Sequence, residues 1–218
     1  MSPSALDSDR AQALALTPVS RETEARLDRF VEVLLKWQGT TQLIAASSVP
    51  KLWTRHIADS LQLIDLAPKA RVWADMGSGA GFPGLVIACA LADQPGVQVH
   101  LIESNSRKAA FLREAVAATA APARVHGVRM EKFVESGEGG IEVVTARAVS
   151  PLDLLLAQCF PLLRAGAVGL FPKGQDVGAE LTEASRYWNI EAVLIPSKTE
   201  PEARIVKVSE IERHNLEK

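Results

Sequence analysis

Four glycines within eight positions constrain this chain more than any other feature of its sequence. They lie in Asp-Met-Gly-Ser-Gly-Ala-Gly-Phe-Pro-Gly, residues 75–84, directly after the apolar residues Val72-Trp73-Ala74. A helix is predicted to follow, from Pro83 to Ala92. A glycine-rich turn between a strand and a helix brings the backbone close to a ligand, because no Cβ stands in the way. The segment therefore predicts a ligand-binding loop in an α/β fold, in preference to a plain turn.

The spacing of the glycines leaves the ligand open. Counted from Gly77, the dinucleotide pattern G-x-G-x-x-G places Phe82 where the third glycine belongs. Counted from Gly79, the third glycine fits at Gly84, but the loop then begins two residues late. A P-loop is excluded, since no Gly-Lys-Ser/Thr follows.

Two acidic residues favour a cationic ligand over a pyrophosphate. At about 4 Å and an effective dielectric near 20, a carboxylate at Asp75 would repel a phosphate charge by about 4 kcal/mol. The same carboxylate suits S-adenosylmethionine, which carries an ammonium and a sulfonium and no phosphate. Glu103 ends the next predicted strand, Val97–Ile102, where a carboxylate can accept hydrogen bonds from both ribose hydroxyls. We therefore predict that Asp75, Gly77, Gly79 and Glu103 bind this cofactor.

Composition excludes several classes of protein. The chain has 218 residues, a formal net charge of −2 and 47% hydrophobic residues, so it is not a wholly basic nucleic-acid binder. Two cysteines in apolar runs exclude a disulfide scaffold, and four scattered histidines argue against a structural zinc site, so no metal is expected. Apolar runs of about eight residues are far short of the ~20 that cross a bilayer. We expect a cytoplasmic protein without membrane association.

The order of predicted elements indicates the fold class. Amphipathic helices fill the first third of the chain, and strands then alternate with helices, which is typical of a mostly parallel sheet covered on both faces. The last two strands are joined by residues 196–201, too few for a helical crossover, so they are expected to be antiparallel. We predict an α/β, Rossmann-like doubly wound sheet with an antiparallel C-terminal strand. Its divisions are a loosely ordered N-terminus (1–17), a helical extension (18–66) and a cofactor-binding domain (67–218).

Several segments together resemble the bacterial small-subunit ribosomal RNA guanine-N7 methyltransferases, also called the glucose-inhibited division protein B family. The resemblance covers about residues 27–208, and Arg-His-x-x-Asp-Ser with Gly-Phe-Pro-Gly is its most specific part. The segment after Trp37 departs from the family pattern, and so does the C-terminal segment around Arg204. The matching segments are residues 34–37, 55–61, 77–84, 106–112, 146–148 and 172–174.

The resemblance implies further site residues. In the family, cofactor contacts correspond here to Gly77, Phe82, Met130, Glu131 and Arg147. It also implies a class I methyltransferase fold with S-adenosylmethionine as methyl donor and small-subunit ribosomal RNA as partner. The chain is expected to act as a monomer, and contacts with RNA are predicted for Lys173, Arg147, Arg107 and Arg129.

The expected chemistry needs no catalytic side chain. The N7 atom of guanine carries a lone pair and no proton, so alignment and electrostatics suffice for methyl transfer. The residues after the fourth predicted strand, Thr145–Pro151, lack the Asn/Asp-Pro-Pro-aromatic pattern of exocyclic-amine methyltransferases. Cys159 lies in a predicted apolar helix, so it is not expected to act as a nucleophile. His56 and Asp59 are predicted to tie the N-terminal helices to the cofactor domain.

Three other functions compete with this one. A methyltransferase acting on a small molecule would use the N-terminal helices to close an apolar pocket, and it remains the alternative. A dinucleotide-dependent oxidoreductase is disfavoured by Asp75. A binding module without catalysis is disfavoured by the intact glycines and acids.

Overall fold

The computed structural model describes residues 5–214. Its first part is helical: α1 (Ala5–Leu16), α2 (Arg21–Gln38) and α3 (Asp59–Leu61), with shorter turns between them. Two of these turns are 3-10 helices, Ala46–Lys51 and Ile64–Leu66, and one is a π-helical turn, Trp53–Ala58. Helix α2 begins where the Ser20 side chain accepts a hydrogen bond from the Thr23 amide, as expected of an N-cap. Its stripe of Leu27, Phe30, Val31 and Leu34 is buried against the rest of the molecule.

The N-terminal segment differs from its prediction. Residues 5–16 form a helix that packs on the extension; the first four residues lie outside the described part of the chain. The reason is Asp9, whose buried carboxylate accepts hydrogen bonds from the Trp53 amide at 2.7 Å and from the Thr54 hydroxyl at 2.5 Å. Arg10 lies over the Trp53 ring and pairs with Asp28 on α2. The residues that form these contacts are far apart in sequence, so local composition does not reveal the contacts.

The remaining residues form a seven-stranded sheet in the order β3-β2-β1-β4-β5-β7-β6. The first five strands are parallel, whereas β7 is antiparallel to both of its neighbours, which confirms the predicted fold class. The strands are β1 (Val72–Met76), β2 (Gln98–Ile102), β3 (Ala123–His126), β4 (Val143–Thr145), β5 (Val168–Lys173), β6 (Trp188–Pro196) and β7 (Arg204–Arg213).

Helices cover both faces of the sheet, and each face has its own apolar core. Side chains alternate along β1, so Trp73 packs with the N-terminal helices while Ala74 packs with the C-terminal ones. The helices after the extension are α4 (Gly84–Leu91), α5 (Ser106–Thr119), α6 (Met130–Glu135), α7 (Leu152–Arg164) and α8 (Val177–Ala184). Cys89 and Cys159 are both buried free thiols. Within residues 5–214, no helix combines the length and apolar character needed to cross a bilayer.

Candidate functional site

A cavity of about 1290 Å³ lies at the carboxyl ends of the central strands. The loops after β1, β2, β4 and β5 form its walls, and the N-terminal extension closes another side with residues such as Ser48 and His56. In open α/β sheets this edge is where ligands bind, because the loops that leave neighbouring strands diverge there. The structure therefore brings the predicted glycine loop to the mouth of a large crevice.

The glycine loop needs its glycines for two reasons. Gly77, Gly79 and Gly81 have φ values of 76°, 53° and 88°, a region that other residues rarely adopt. A Cβ on Gly77 would also lie 2.8 Å from Cγ2 of Val149 and 3.0 Å from Cε of Met130, which both line the cavity. The amides of Gly77 and Ser78 donate to the Ile102 carbonyl, which fixes the loop against β2. The loop thus presents bare backbone to the crevice.

The position of Asp75 corrects the prediction made for it. Its carboxylate is 1% exposed and does not line the cavity. One oxygen accepts from the Gly84 amide at 3.1 Å and the other from the Thr145 hydroxyl at 2.9 Å. Burial raises the pKa of Asp75 to about 6, although these hydrogen bonds act in the opposite direction. Asp75 therefore stabilises the glycine loop from the side away from the cavity. Its carboxylate does not contact a cationic group of a ligand in the cavity.

Glu103 lies where the sequence predicts, in the cavity wall. Its Oε2 accepts from the Gly79 amide at 2.9 Å and its Oε1 from the Asn105 amide at 2.7 Å. Each carboxylate oxygen has two lone-pair sites, so both oxygens can still accept a hydrogen bond from a ligand. The backbone fixes the direction of this carboxylate before any ligand arrives.

Phe82, His56 and Arg147 form a stack between the extension and the sheet. The His56 and Phe82 rings are stacked with centroids 4.9 Å apart, and the Arg147 guanidinium carbon lies 5.1 Å from the Phe82 centroid. Arg147 donates to Asp59 at 3.2 Å, to the Arg55 carbonyl at 3.1 Å and to Nδ1 of His56 at 2.7 Å. These bonds join the end of β4 to the extension, which confirms the predicted tie through His56 and Asp59.

The same contacts fix the charge state of His56. Burial, together with the charges of Arg147 and Arg55, lowers the pKa of His56 to about 3. Because Arg147 can only donate, Nδ1 of His56 is the acceptor, and Nε2 lies 3.1 Å from the Ser48 hydroxyl. Both ring nitrogens are therefore engaged, and the imidazole is neutral at pH 7.

Met130 and Glu131 are the first two residues of α6, and their side chains have different surroundings. Met130 lines the cavity beside Gly77, as predicted. The exposed Glu131 side chain accepts from Gln158 at 3.1 Å and does not line the cavity. Only its backbone remains available for the predicted contact with the cofactor.

Lys173 differs from the exposed phosphate contact that the sequence predicts. Its ammonium donates to Glu180 at 2.7 Å and to the Ser150 carbonyl at 2.8 Å, and its side chain is only 11% exposed. Glu180 also accepts from the Leu152 amide. Lys173 therefore anchors the loop after β4 at the cavity, and its charge is already balanced.

Other cations are better exposed. Arg107 and Arg129 are exposed and form no ion pair with any residue from 5 to 214, although neither lines the cavity. Three further cations line the cavity: Lys51, Arg55 and Lys108. Ser104, Val128 and Val149 also line it without having been predicted. They follow strand ends, which was the one signal that pointed to them.

Comparison with known proteins agrees with this geometry. The family model described as rRNA small subunit methyltransferase G matches residues 23–206. The ribosomal RNA small subunit methyltransferase G of Bradyrhizobium sp. strain BTAi1 is 58% identical over 207 residues, covering 95% of this chain and 93% of that protein. The protein of the same name from Nitrobacter winogradskyi is also 58% identical, covering 95% and 75% of the two chains.

Among solved structures, an O-methyltransferase from Bacillus cereus in complex with SAH shares the fold. It superposes with a TM-score of 0.61 at 13% identity, covering 93% of this chain and 97% of that one. At that identity the likeness concerns the fold alone, whereas the family match extends over most of the sequence. The chain belongs to the rRNA small subunit methyltransferase G family.

Proposed function

We propose that this protein transfers a methyl group from S-adenosylmethionine to N7 of a guanine in small-subunit ribosomal RNA. The observation that carries the proposal is the placement of Glu103 in the cavity wall, held by the amide of the glycine loop. That arrangement suits a ribose with two neighbouring hydroxyls next to a segment of bare backbone. Membership of the family supports RNA as the methyl acceptor.

The residues present fit the cofactor. A Cβ on Gly77 would clash with the Val149 and Met130 side chains, so glycine lets these apolar walls of the cavity close against the loop, where Glu103 also offers carboxylate oxygens. When bound, S-adenosylmethionine supplies a methyl group on a positively charged sulfur. Arg147 still has guanidinium hydrogens beyond those donated to Asp59, His56 and Arg55, and it lines the cavity, so it can receive a carboxylate there.

The side chains around the cavity support transfer without a general base. His56 is neutral, and both of its nitrogens are engaged by Arg147 and Ser48. Asp75 lies behind the loop. An acceptor atom that carries a lone pair and no proton needs only to be aligned, which is the property of guanine N7. The task left to this chain is to orient the base and to exclude water.

The RNA is expected to approach over the exposed cations beside the cavity. Lys51, Arg55 and Lys108 lie on its rim, and Arg107 and Arg129 extend the positive surface outward. Phosphate contacts of this kind supply affinity and orientation, whereas sequence is read from the bases. We propose that the protein acts as a monomer, and in the cytoplasm, where its RNA substrate is found.

The test is methyl transfer to RNA from a strain that lacks this activity. Purified protein is incubated with S-adenosylmethionine carrying a labelled methyl group and with naked small-subunit RNA or assembled small subunits. We expect label on one guanine. Loss of the N7-methylated base at its N9 glycosidic bond, followed by amine-induced strand cleavage at the abasic site, locates it. Label on another atom, or on a small molecule of a cell extract and not on RNA, would contradict the proposal.

A further inference from the structure

Two histidines that are distant in sequence meet on the outer part of the sheet. His100 is on β2 and His126 ends β3, in parallel strands that pair Ile102 with His126. Positions 100 and 102 face the same way, so both imidazoles project from one face of the sheet. Nδ1 of His100 lies 2.9 Å from Nε2 of His126, and the rings are stacked with centroids 5.1 Å apart.

A third ligand group completes the cluster. Glu138, in the loop after α6, brings a carboxylate oxygen close enough that all three ligand atoms lie within 4.8 Å of one another. Its ion pair with Arg124 is long, at 3.8 Å, and the Arg124 side chain is 65% exposed. Exposed pairs of this kind contribute little to stability, so Glu138 can exchange this partner for a stronger one.

We propose that His100, His126 and Glu138 bind one divalent transition-metal ion, with Zn²⁺ the best match to two imidazole nitrogens and one carboxylate oxygen. Bonds of about 2.0–2.1 Å place tetrahedral ligands about 3.4 Å apart, so the two nitrogens need to separate only slightly. The carboxylate closes the larger gap by rotating about its own side-chain bonds. The metal replaces the hydrogen bond between the two rings, and the ring hydrogen that formed it moves to the other nitrogen of the same imidazole.

The surroundings favour a structural site. Phe133, which is 2% exposed, packs against both imidazoles with ring centroids 5.6 and 4.9 Å away. None of the three ligands lines the cavity, so the proposal does not depend on the proposed function. A bound ion would join two strands to the loop after α6. The histidine count alone argued against such a site, because sequence separation hid the register that brings the rings together.

The test is metal binding by the full, tag-free chain after treatment with a chelator. Zn²⁺ is titrated in a calorimeter, and Co²⁺ is added in parallel because its visible absorption reports tetrahedral coordination. We expect one ion per chain and a higher melting temperature with Zn²⁺. The buried thiols of Cys89 and Cys159 are closed to metal in the folded chain.

Matched variants decide whether the ion sits at this cluster. His126→Gln should abolish binding, and Glu138→Gln should weaken it at least about tenfold, the low end of what even outer-shell losses cost. His214→Gln and Glu135→Gln remove the same groups outside the cluster and should bind like the parent. Glu138 is partly exposed, so its variant folds even where His126→Gln does not. Absence of saturable binding, or binding unchanged in Glu138→Gln, overturns the proposal.

Discussion

At the scale of single residues, Asp75 shows how one carboxylate can serve a binding site without touching its ligand. Its oxygens satisfy the Gly84 amide and the Thr145 hydroxyl. A Cβ on Gly84 would lie 2.6 Å from the Asp75 Cβ, so glycine is required at the start of α4 for packing. The acid and this glycine therefore act together to set the loop's shape.

A substitution at Gly77 should separate backbone strain from obstruction of the cavity. Gly77→Ala places a methyl group 2.8 Å from Val149, and we expect affinity for S-adenosylmethionine to fall at least about tenfold, or about 1.4 kcal/mol. Gly96→Ala is the matched control, since its φ of 78° equals that of Gly77 within two degrees and nothing lies within 4 Å. Both should lose about 1–2 kcal/mol of stability from the left-handed conformation. Equal cofactor affinity in the two variants would refute obstruction.

His56 should leave a signature in the pH dependence of stability. Its pKa is about 3 in the folded protein and near 6.5 when unfolded, so only the unfolded chain takes up this proton between those values. Its contribution is complete above pH 6.5 and is lost as the pH falls. Relative to His56→Gln, the parent should lose about 2 kcal/mol of unfolding free energy between pH 7 and pH 5. Urea denaturation at each pH measures this.

The same substitution tests catalysis without a base. Single-turnover methylation by the parent should show no ionisation of His56 between pH 6 and 8, because the imidazole is neutral throughout that range. If His56→Gln abolishes turnover while cofactor affinity and the melting temperature stay unchanged, His56 acts in the reaction and the base-free mechanism is wrong.

At the scale of elements, Arg147 provides one of several polar links between the extension and the rest of the molecule; others run from Asp59 and Gln62 to the loop between β6 and β7. Arg147, at the end of β4, reaches Asp59 in α3 and the π-helical turn around His56. The side chains of Arg147 and Asp59 are 17% and 15% exposed. Breaking this pair removes the cation from the largely buried Asp59 carboxylate, which keeps hydrogen bonds from Gln62 and Thr199, so the pair helps to hold the extension against the cavity wall.

A double-mutant cycle measures that tie. Arg147→Ala should cost about 3 kcal/mol, because the buried Asp59 carboxylate loses its cation and keeps only the hydrogen bonds from Gln62 and Thr199. Adding Asp59→Ala should cost less than the sum of the two single changes, with a coupling of at least about 1 kcal/mol. Arg55→Ala, which removes an exposed side chain and keeps the carbonyl that Arg147 uses, is the control and should be near neutral. Strict additivity would rule out the tie.

Lys173 should behave as an anchor of the loop after β4. Lys173→Met keeps the aliphatic stem and removes the contacts with Glu180 and the Ser150 carbonyl, which should cost about 1–3 kcal/mol. Glu180→Gln should also destabilise the protein, because it weakens the same contacts. We expect neither to change the salt dependence of RNA binding. A shallower salt dependence in Lys173→Met alone would restore the predicted phosphate contact.

Local signals predicted the regular elements, and long-range contacts account for the differences. The sequence predicts a helix over Ser106–Thr119 and a strand over Ala123–His126, and α5 and β3 have these bounds, because periodicity and flanking residues define them locally. The sequence also predicts a helix from about Ser48, with Ser48 as its cap, but the structure has a 3-10 helix followed by a π-helical turn there. Ser48 does not cap it; its hydroxyl contacts the Ala45 carbonyl and His56.

The site was predictable in its position more than in its contacts. The glycine loop, Glu103 and Met130 lie in the cavity because they follow strand ends in an α/β sheet. Asp75 and Arg147 owe their roles to partners 70 or more residues away in sequence, Thr145 and Asp59 respectively. No residue near Asp75 or Arg147 in sequence indicates these partners. Side-chain direction at a strand end follows from packing, which composition does not specify.

At the scale of the whole molecule, a net charge of −2 coexists with a positive rim around the cavity. The rim cations Lys51, Arg55 and Lys108 come from the extension and from α5, so their common position results from the fold. Overall charge is thus a poor guide to whether such a protein binds RNA.

The salt dependence of RNA binding tests the rim. Lys108→Ala should reduce the slope of log affinity against log salt by about 0.7–0.9, the value of one phosphate contact, and Arg107→Ala should act alike. Lys69→Ala removes an exposed lysine just before β1, at the opposite edge of the sheet, and should leave the slope unchanged. If all three variants keep the slope of the parent protein, the RNA binds at another surface.

Strand β7, which follows β6 in the chain, occupies an interior place in the sheet, between β5 and β6. During synthesis on the ribosome, β6 therefore emerges before the strand it pairs with exists. Until Arg204–Arg213 arrives, β5 presents an open row of amides and carbonyls, which is a template for association with other chains. The sheet therefore closes only after β7 has left the ribosome, and a chain interrupted before Arg204 loses the ordered places of two strands at once.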